Sequence, residues 1–308
     1  MAFLRFARHA MATRFELVLP GADEVRLRAI AEEALDEIER LENLLSRYRP
    51  HTDIARINRG AAFAPVPISP ETFRLLERAR KLTEFTEGAF DPTVGALLEV
   101  WGFTSGAGRT PEPDLLEAAR TRIGWNQVEL DDSHSTVRFL QPGVSLDLGA
   151  IGKGYALDVA VERLREAGVK SALIHGGTSS MVAIGPRPDG SPWFVSVVNS
   201  PESSQTIPLQ NESLSVSAPT GKWFRDEAGL LQGHVLDPVL GKPVAVSHPA
   251  AVVSPFATDS DALSTALLVR GPQFTGKLAE WPKTRGWLEA PGNAVAERSE
   301  ATAWRPGG

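Results

Sequence analysis

Between residues 23 and 45 the apolar side chains Ile30, Ala34, Ile38, Leu41 and Leu45 recur at helical spacing, with acids and arginines between them. A stripe with that period is how a helix joins a core, so the segment predicts an amphipathic helix. A second helix is predicted from Pro70 to about Thr86 through Phe73, Leu76, Leu82 and Phe85, with proline in its first turn and Gly88 just past its end. Residues 11–19 alternate polar and apolar before Pro20-Gly21 and predict a strand and turn. The polar run from Ser46 to Gly60 reads as a loop with a short helical turn. Asp91-Pro92 resists helix, residues 104–113 form a Gly-, Ser- and Pro-containing loop, residues 114–122 a short helix, and residues 128–130 with 137–140 a hairpin.

Past the middle of the chain the pattern changes. Ser145-Leu146-Asp147-Leu148 reads as an apolar strand entering a glycine-rich turn, Gly149-Ala150-Ile151-Gly152-Lys153-Gly154, and then a helix through Val159, Leu164 and Ala167. Short strands follow at 172–174, 181–184, 193–198, 214–217 and 250–253, with 199–212 expected as a polar connection. A last helix is predicted from about Thr258 to Val269, and the aperiodic polar residues from Ala290 on predict a disordered tail. Helices and strands mix without strict βαβ alternation, which favours an α+β fold.

Composition narrows the function. The 308 residues carry a formal net charge of −6, which disfavours a nucleic-acid backbone as the main partner. With no cysteine, disulfides, Cys-ligated zinc, thiol nucleophiles and a lipidated Cys are excluded. Charges interrupt residues 1–9, and no apolar run has the length of a signal peptide or a membrane span. The expectation is a soluble, cytoplasmic protein with no nucleic-acid partner and no membrane span.

Several residues invite chemistry. The turn at 149–154 has free backbone N–H groups, a helix N-terminus and a cation, Lys153, which together suit a phosphate; its spacing fits neither the Walker loop nor G-x-G-x-x-G, and a plain strand-to-helix turn fits it as well. Asp261 and Thr265, four apart, share one helix face and either ligate a hard cation such as Mg²⁺ or serve as an exposed acid and a back-bonded threonine. His234, ahead of Val235-Leu236-Asp237-Pro238, suits a general base or a structural histidine. Asp91 and Asp147 sit in turns where Asp commonly caps backbone. Tyr48, Phe90 and Trp101 suit either stacking on a flat ligand or the core. No H-E-x-x-H zinc motif or G-x-S-x-G elbow is present.

In order along the chain, six motifs resemble the ApbE family, the FAD:protein FMN transferases. They are Met11-Ala12-Thr13; Ser46-Arg47-Tyr48 with Ile57-Asn58; Phe90-Asp91-Pro92-Thr93-Val94-Gly95 with Trp101-Gly102-Phe103; the 147–155 run with Asp158; His234 to Pro238 with Gly241; and Asp261 to Ala266. The resemblance implies a two-lobed α+β fold with mixed or antiparallel sheets flanked by helices, spanning residues 1–271 as one domain, with 272–289 at the C-terminal edge and 290–308 as the tail. It implies that Met11, Tyr48, Ala89, Phe90, Asp91, Asp147, Lys153 and Val235 bind FAD. Mg²⁺ would be held by the Ala150 carbonyl, Asp261 and Thr265. The implied reaction moves FMN from FAD to a Thr or Ser hydroxyl of an acceptor protein and releases AMP, with His234 and then Asp237 as candidate bases. The alternatives are hydrolysis of FAD to FMN and AMP, and flavin binding without catalysis. The chain departs from the family pattern at Ala12, at Thr178 after Gly176-Gly177, and at Val216-Ser217-Ala218.

Overall fold

The computed structural model describes residues 2–106, 108–200, 203–218, 221–245 and 249–288. The expected tail at 290–308 lies outside the described residues. The chain opens with a hairpin of β1 (Phe3–Ala10) and β2 (Thr13–Pro20), followed by α1 (Glu24–Leu45), α2 (Asp53–Gly60), the short β3 (Val66–Pro67) and α3 (Pro70–Phe85). Next come α4 (Gly95–Val100), α5 (Pro113–Arg120), the hairpin β4 (Val128–Asp131) with β5 (Thr136–Phe139), and α6 (Gly152–Glu166). The strand-rich part holds β6 (Ala172–Gly176), β7 (Ser180–Ile184), β8 (Trp193–Ser200), β9 (Ser203–Leu209) and β10 (Ser213–Ser217). It continues through β11 (Trp223–Arg225), β12 (Leu231–Gly233), β13 (Leu236–Asp237), β14 (Lys242–Pro243) and β15 (Ala250–Ser254). The last described elements are α7 (Ala257–Arg270), α8 (Thr275–Leu278) and β16 (Arg285–Leu288).

The main sheet has the order β1-β2-β6-β7-β10-β15-β16, antiparallel at every pairing. Alternation along its strands sends two sets of side chains to two cores. Phe15, Leu17, Ile174, Val182 and Val252 join the buried stripe of α1 (Ala34, Ile38, Leu41) and the inner faces of α6 and α7. Val18, Leu173, Met181, Leu214 and Val253 meet Trp193, Val195, Ile207 and Leu209 of the β8–β9 hairpin on the opposite face. A third, small cluster joins α4 and α5 to Trp101, Phe103 and Leu236. Trp101 is core, and its Nε1 donates to the Gly241 carbonyl at 2.9 Å.

Helix starts follow side-chain capping: Asp23, Thr52 and Ser69 each accept a backbone N–H in the first turn of α1, α2 and α3. Three local expectations change. The segment before residue 11 is a strand, β1, at the edge of the main sheet. Half of the expected connection at 199–212 is β9, whose buried Ile207 and Leu209 alternate with exposed Thr206 and Pro208. Residues 145–148 are extended but join no sheet, apart from one bridge of Ser145 to Val94. The Asn58 side chain stands in for a neighbouring strand: its Oδ1 accepts from Leu146 N at 2.8 Å and its Nδ2 donates to Leu146 O at 2.9 Å.

Candidate active site

The 145–148 segment delivers the chain to α6, and α6 lies against α7 at unusually close range. Gly154 makes this possible, because a Cβ there would sit 2.1 Å from the Ala257 carbonyl oxygen. The Gly154 N–H donates to Asp261 Oδ2 at 3.0 Å, so a glycine expected to admit a phosphate serves helix packing and holds the acid of α7. Asp158, one turn further along α6, caps α7 from outside: its carboxylate accepts from Ala257 N and Thr258 N, both at 2.8 Å, and from Thr258 Oγ1 at 2.6 Å. Burial pushes its pKa up to about 6 against the pull of those hydrogen bonds.

Beside this junction opens a cavity of about 720 Å³. Its lining brings together Met11, Tyr48, Ala89, Phe90, Asp91, Asp147, Ala150, Lys153, His234, Val235, Asp261 and Thr265, from elements spread over the whole fold. Thr178 and the Val216-Ser217-Ala218 stretch, where the chain departs from the family pattern, line it too. Asp237 does not: its Oδ1 accepts from Val239 N at 2.8 Å and Leu240 N at 3.0 Å, which makes it the cap of the β13–β14 turn.

Asp261 is the most enclosed acid of the wall, 5% exposed, and its second oxygen accepts from Ser180 Oγ at 3.0 Å. Lys153 Nζ lies 4.0 Å from Asp261 Oδ2. Thr265 Oγ1 is 3.1 Å from Ser217 Oγ, which also meets Ser264 Oγ at 2.8 Å. One carboxylate among hydroxyl oxygens, with the Ala150 backbone in the same wall, is the donor chemistry of a hard cation. Among the described residues there is no cluster of three or more His, Asp or Glu side chains that would hold a metal by itself.

Asp91 and Asp147 are held separately. Asp91 Oδ1 accepts from the Thr93 N–H at 2.8 Å and the Thr93 hydroxyl at 2.7 Å, and burial raises its pKa despite them. Asp147 Oδ1 accepts from Gly149 N at 2.8 Å, while Oδ2 faces Arg47 at 3.2 Å. Arg47 also pairs with Glu99 at 2.8 Å, and thus ties the end of α1 to α4 and to the 145–147 segment. The motif Ser46-Arg47-Tyr48 marks Arg47 in the sequence, but its partners lie about 50 and 100 residues away and leave no local signal. Ser180 was equally hidden within an apolar strand.

Tyr48 is 63% exposed at the cavity mouth, with the Arg47 guanidinium 5.9 Å and the Lys222 ammonium 6.0 Å from its ring centre. Phe90, by contrast, is core. His234 follows β12, and its N–H donates to the Lys222 carbonyl at 3.0 Å. Burial lowers the pKa of its imidazole; Lys153 and Lys222 lower it further, against a hydrogen bond of the ring with the Lys222 backbone and the charge of Asp147. Nδ1 is buried and has no hydrogen-bond partner among the described residues. A neutral imidazole is a competent proton acceptor near pH 7.

No helix of the described residues is long and apolar enough to cross a membrane. The FAD:protein FMN transferase of Treponema pallidum is 30% identical over 292 residues, covering 86% of this chain and 80% of its own. That of Chlamydia muridarum is 29% identical over 283 residues, covering 89% and 86%. Among solved structures, the ApbE protein of Thermotoga maritima superposes with a TM-score of 0.82 at 30% identity, covering 91% of both chains. The Pseudomonas stutzeri flavinyl transferase ApbE gives 0.77 at 30% identity, covering 90% of this chain and 87% of its own. The ApbE family model matches residues 11–288, and the chain belongs to that family.

Proposed function

We propose that this protein transfers FMN from FAD to a Thr or Ser hydroxyl of an acceptor protein, with Mg²⁺, and releases AMP. The observation that carries the reading is the convergence on one cavity of an enclosed carboxylate, a lysine and a neutral histidine from three distant parts of the chain. The related transferases supply the reaction class.

FAD lies along Met11, Tyr48, Ala89 to Asp91, Asp147 and Val235, with its diphosphate toward Lys153 and the start of α6. Asp261, Thr265 and the Ala150 carbonyl would hold Mg²⁺, which would supply charge neutralisation for the diphosphate. The acceptor hydroxyl attacks the FMN-side phosphorus in line. A phosphorus–oxygen bond forms there as the bond to the AMP phosphate breaks. His234 takes the hydroxyl proton, and AMP leaves as the anion. Asp237 Oδ1 caps a turn and Asp237 lies outside the cavity lining, which supports His234 over Asp237 as the base.

Incubating the protein with FAD, Mg²⁺ and an acceptor domain carrying a flavinylation threonine tests this. Covalent flavin fluorescence on the acceptor together with AMP is the expected result. AMP without labelled acceptor indicates FAD hydrolysis instead, and FAD recovered intact indicates binding without catalysis.

A further inference from the structure

The wall of the cavity contains four acids, Glu42, Asp91, Asp147 and Asp261, and three permanent cations, Arg47, Lys153 and Lys222. Two of the cations are committed. Arg47 sits between Asp147 and Glu99, and Lys153 faces Asp261. Lys222 is the cation of this wall without a carboxylate within 4 Å among the described residues, and it is exposed at the rim. Its neighbour is the face of Tyr48, with Nζ 6.0 Å from the ring centre, at the outer limit of a cation–π contact. Such a contact at an exposed site is weak and easily surrendered. A dinucleotide diphosphate brings two further negative charges into this wall, and among the described residues Lys222 is the cation there that no carboxylate already engages.

We propose that Lys222 is a phosphate-binding residue of the transferase: it rests on Tyr48 in the free protein and moves to the diphosphate of FAD on binding, opposite Lys153. This deepens the transferase reading and rests on it. Lys222 belongs to the segment that ends at His234, since its carbonyl accepts the His234 N–H. Lys222 and His234 are therefore held side by side at the ends of one hairpin, so a phosphate drawn to Lys222 lies on the side of the cavity that carries the base.

The test compares Lys222→Met and Lys222→Arg with wild type, measuring FAD affinity by fluorescence quenching with Mg²⁺ present, at low and high salt, and transfer to the acceptor domain. Lys222→Met is expected to weaken FAD binding about tenfold at low salt, with a smaller deficit at high salt, as loss of one charge-assisted contact requires. Lys222→Arg keeps the charge and is expected to recover most of that affinity. Both variants should melt at the wild-type temperature, because the side chain is exposed. FAD binding by Lys222→Met equal to wild type overturns the proposal, as does Lys222→Arg being as weak as Lys222→Met. Failure of the wild-type protein to bind FAD would instead defeat the transferase reading itself.

Discussion

The floor of the cavity and its rim are built to opposite rules. At the floor, where α6 meets α7, donors and acceptors are matched: Asp261 accepts from Gly154 and Ser180, and Asp158 accepts three bonds from the first residues of α7. At the rim, Tyr48 is mostly exposed with two cations near its ring, and among the described residues His234 buries an Nδ1 with no partner and Lys222 has no carboxylate within 4 Å. A satisfied network fixes geometry, whereas unmet polar groups mark where a ligand completes the structure. Under the proposed function, the floor would anchor the nucleotide and the cation, and the rim is where the substrates would finish the site.

The strongest way to break this contrast is at Gly154. Its Cβ position is filled by the Ala257 backbone, so Gly154→Ala must part the two helices. Loss of about 3 kcal/mol of stability in urea denaturation is expected, with transfer activity lost alongside it. Tolerance of alanine at wild-type stability would show that the junction is not rigid. The matching change at the rim, His234→Ala, is expected to leave stability nearly unchanged and slow transfer about 10²–10⁴-fold. The imidazole pKa is lowered by burial, so the neutral base predominates at pH 7 and is lost as pH falls below the ordinary histidine range. Wild-type transfer should therefore stay level from pH 7 to 8 and decline on the acid side. Wild-type rates for His234→Ala across pH 6 to 8 would remove histidine from the mechanism.

The smallest effect is expected at the β1–β2 turn, on the rim beside Met11. Met11 and Ala12 both have positive φ, 50° and 57°, in a two-residue hairpin that favours glycine. Ala12→Gly relieves the Cβ strain at one of them and is expected to raise stability by up to about 1 kcal/mol, read from the denaturation midpoint. A lower midpoint would mean that the side chain packs usefully against the cavity.

The sequence was most legible where one buried face repeats. The stripes of α1 and α3 are plain because each helix buries one continuous face in the main core. β1 escaped notice because an edge strand buries little, here Phe6 and Ala10 alone, and its other positions carry charge or exposure. The 145–148 segment misled for a different reason: the Leu146 backbone bonds to the Asn58 side chain, 88 residues away, and Ser145 and Asp147 bond to the Gly95 and Pro92 backbones, which no local pattern reports. The site residues were legible as ordered motifs, yet their roles divided by tertiary context. Asp261 and Asp237 both stand in conspicuous motifs; packing puts the first at the cavity and the second into a turn cap.

The central claim is that the floor and rim together move FMN from FAD to a protein hydroxyl. Mass spectrometry of an acceptor domain after incubation with the protein, FAD and Mg²⁺, with AMP quantified in the same sample, tests it most directly. The account predicts an FMN adduct on one Thr or Ser, one AMP per adduct, and neither product with Asp261→Ala. Adduct formation undiminished in Asp261→Ala, or AMP released without any adduct, would contradict it.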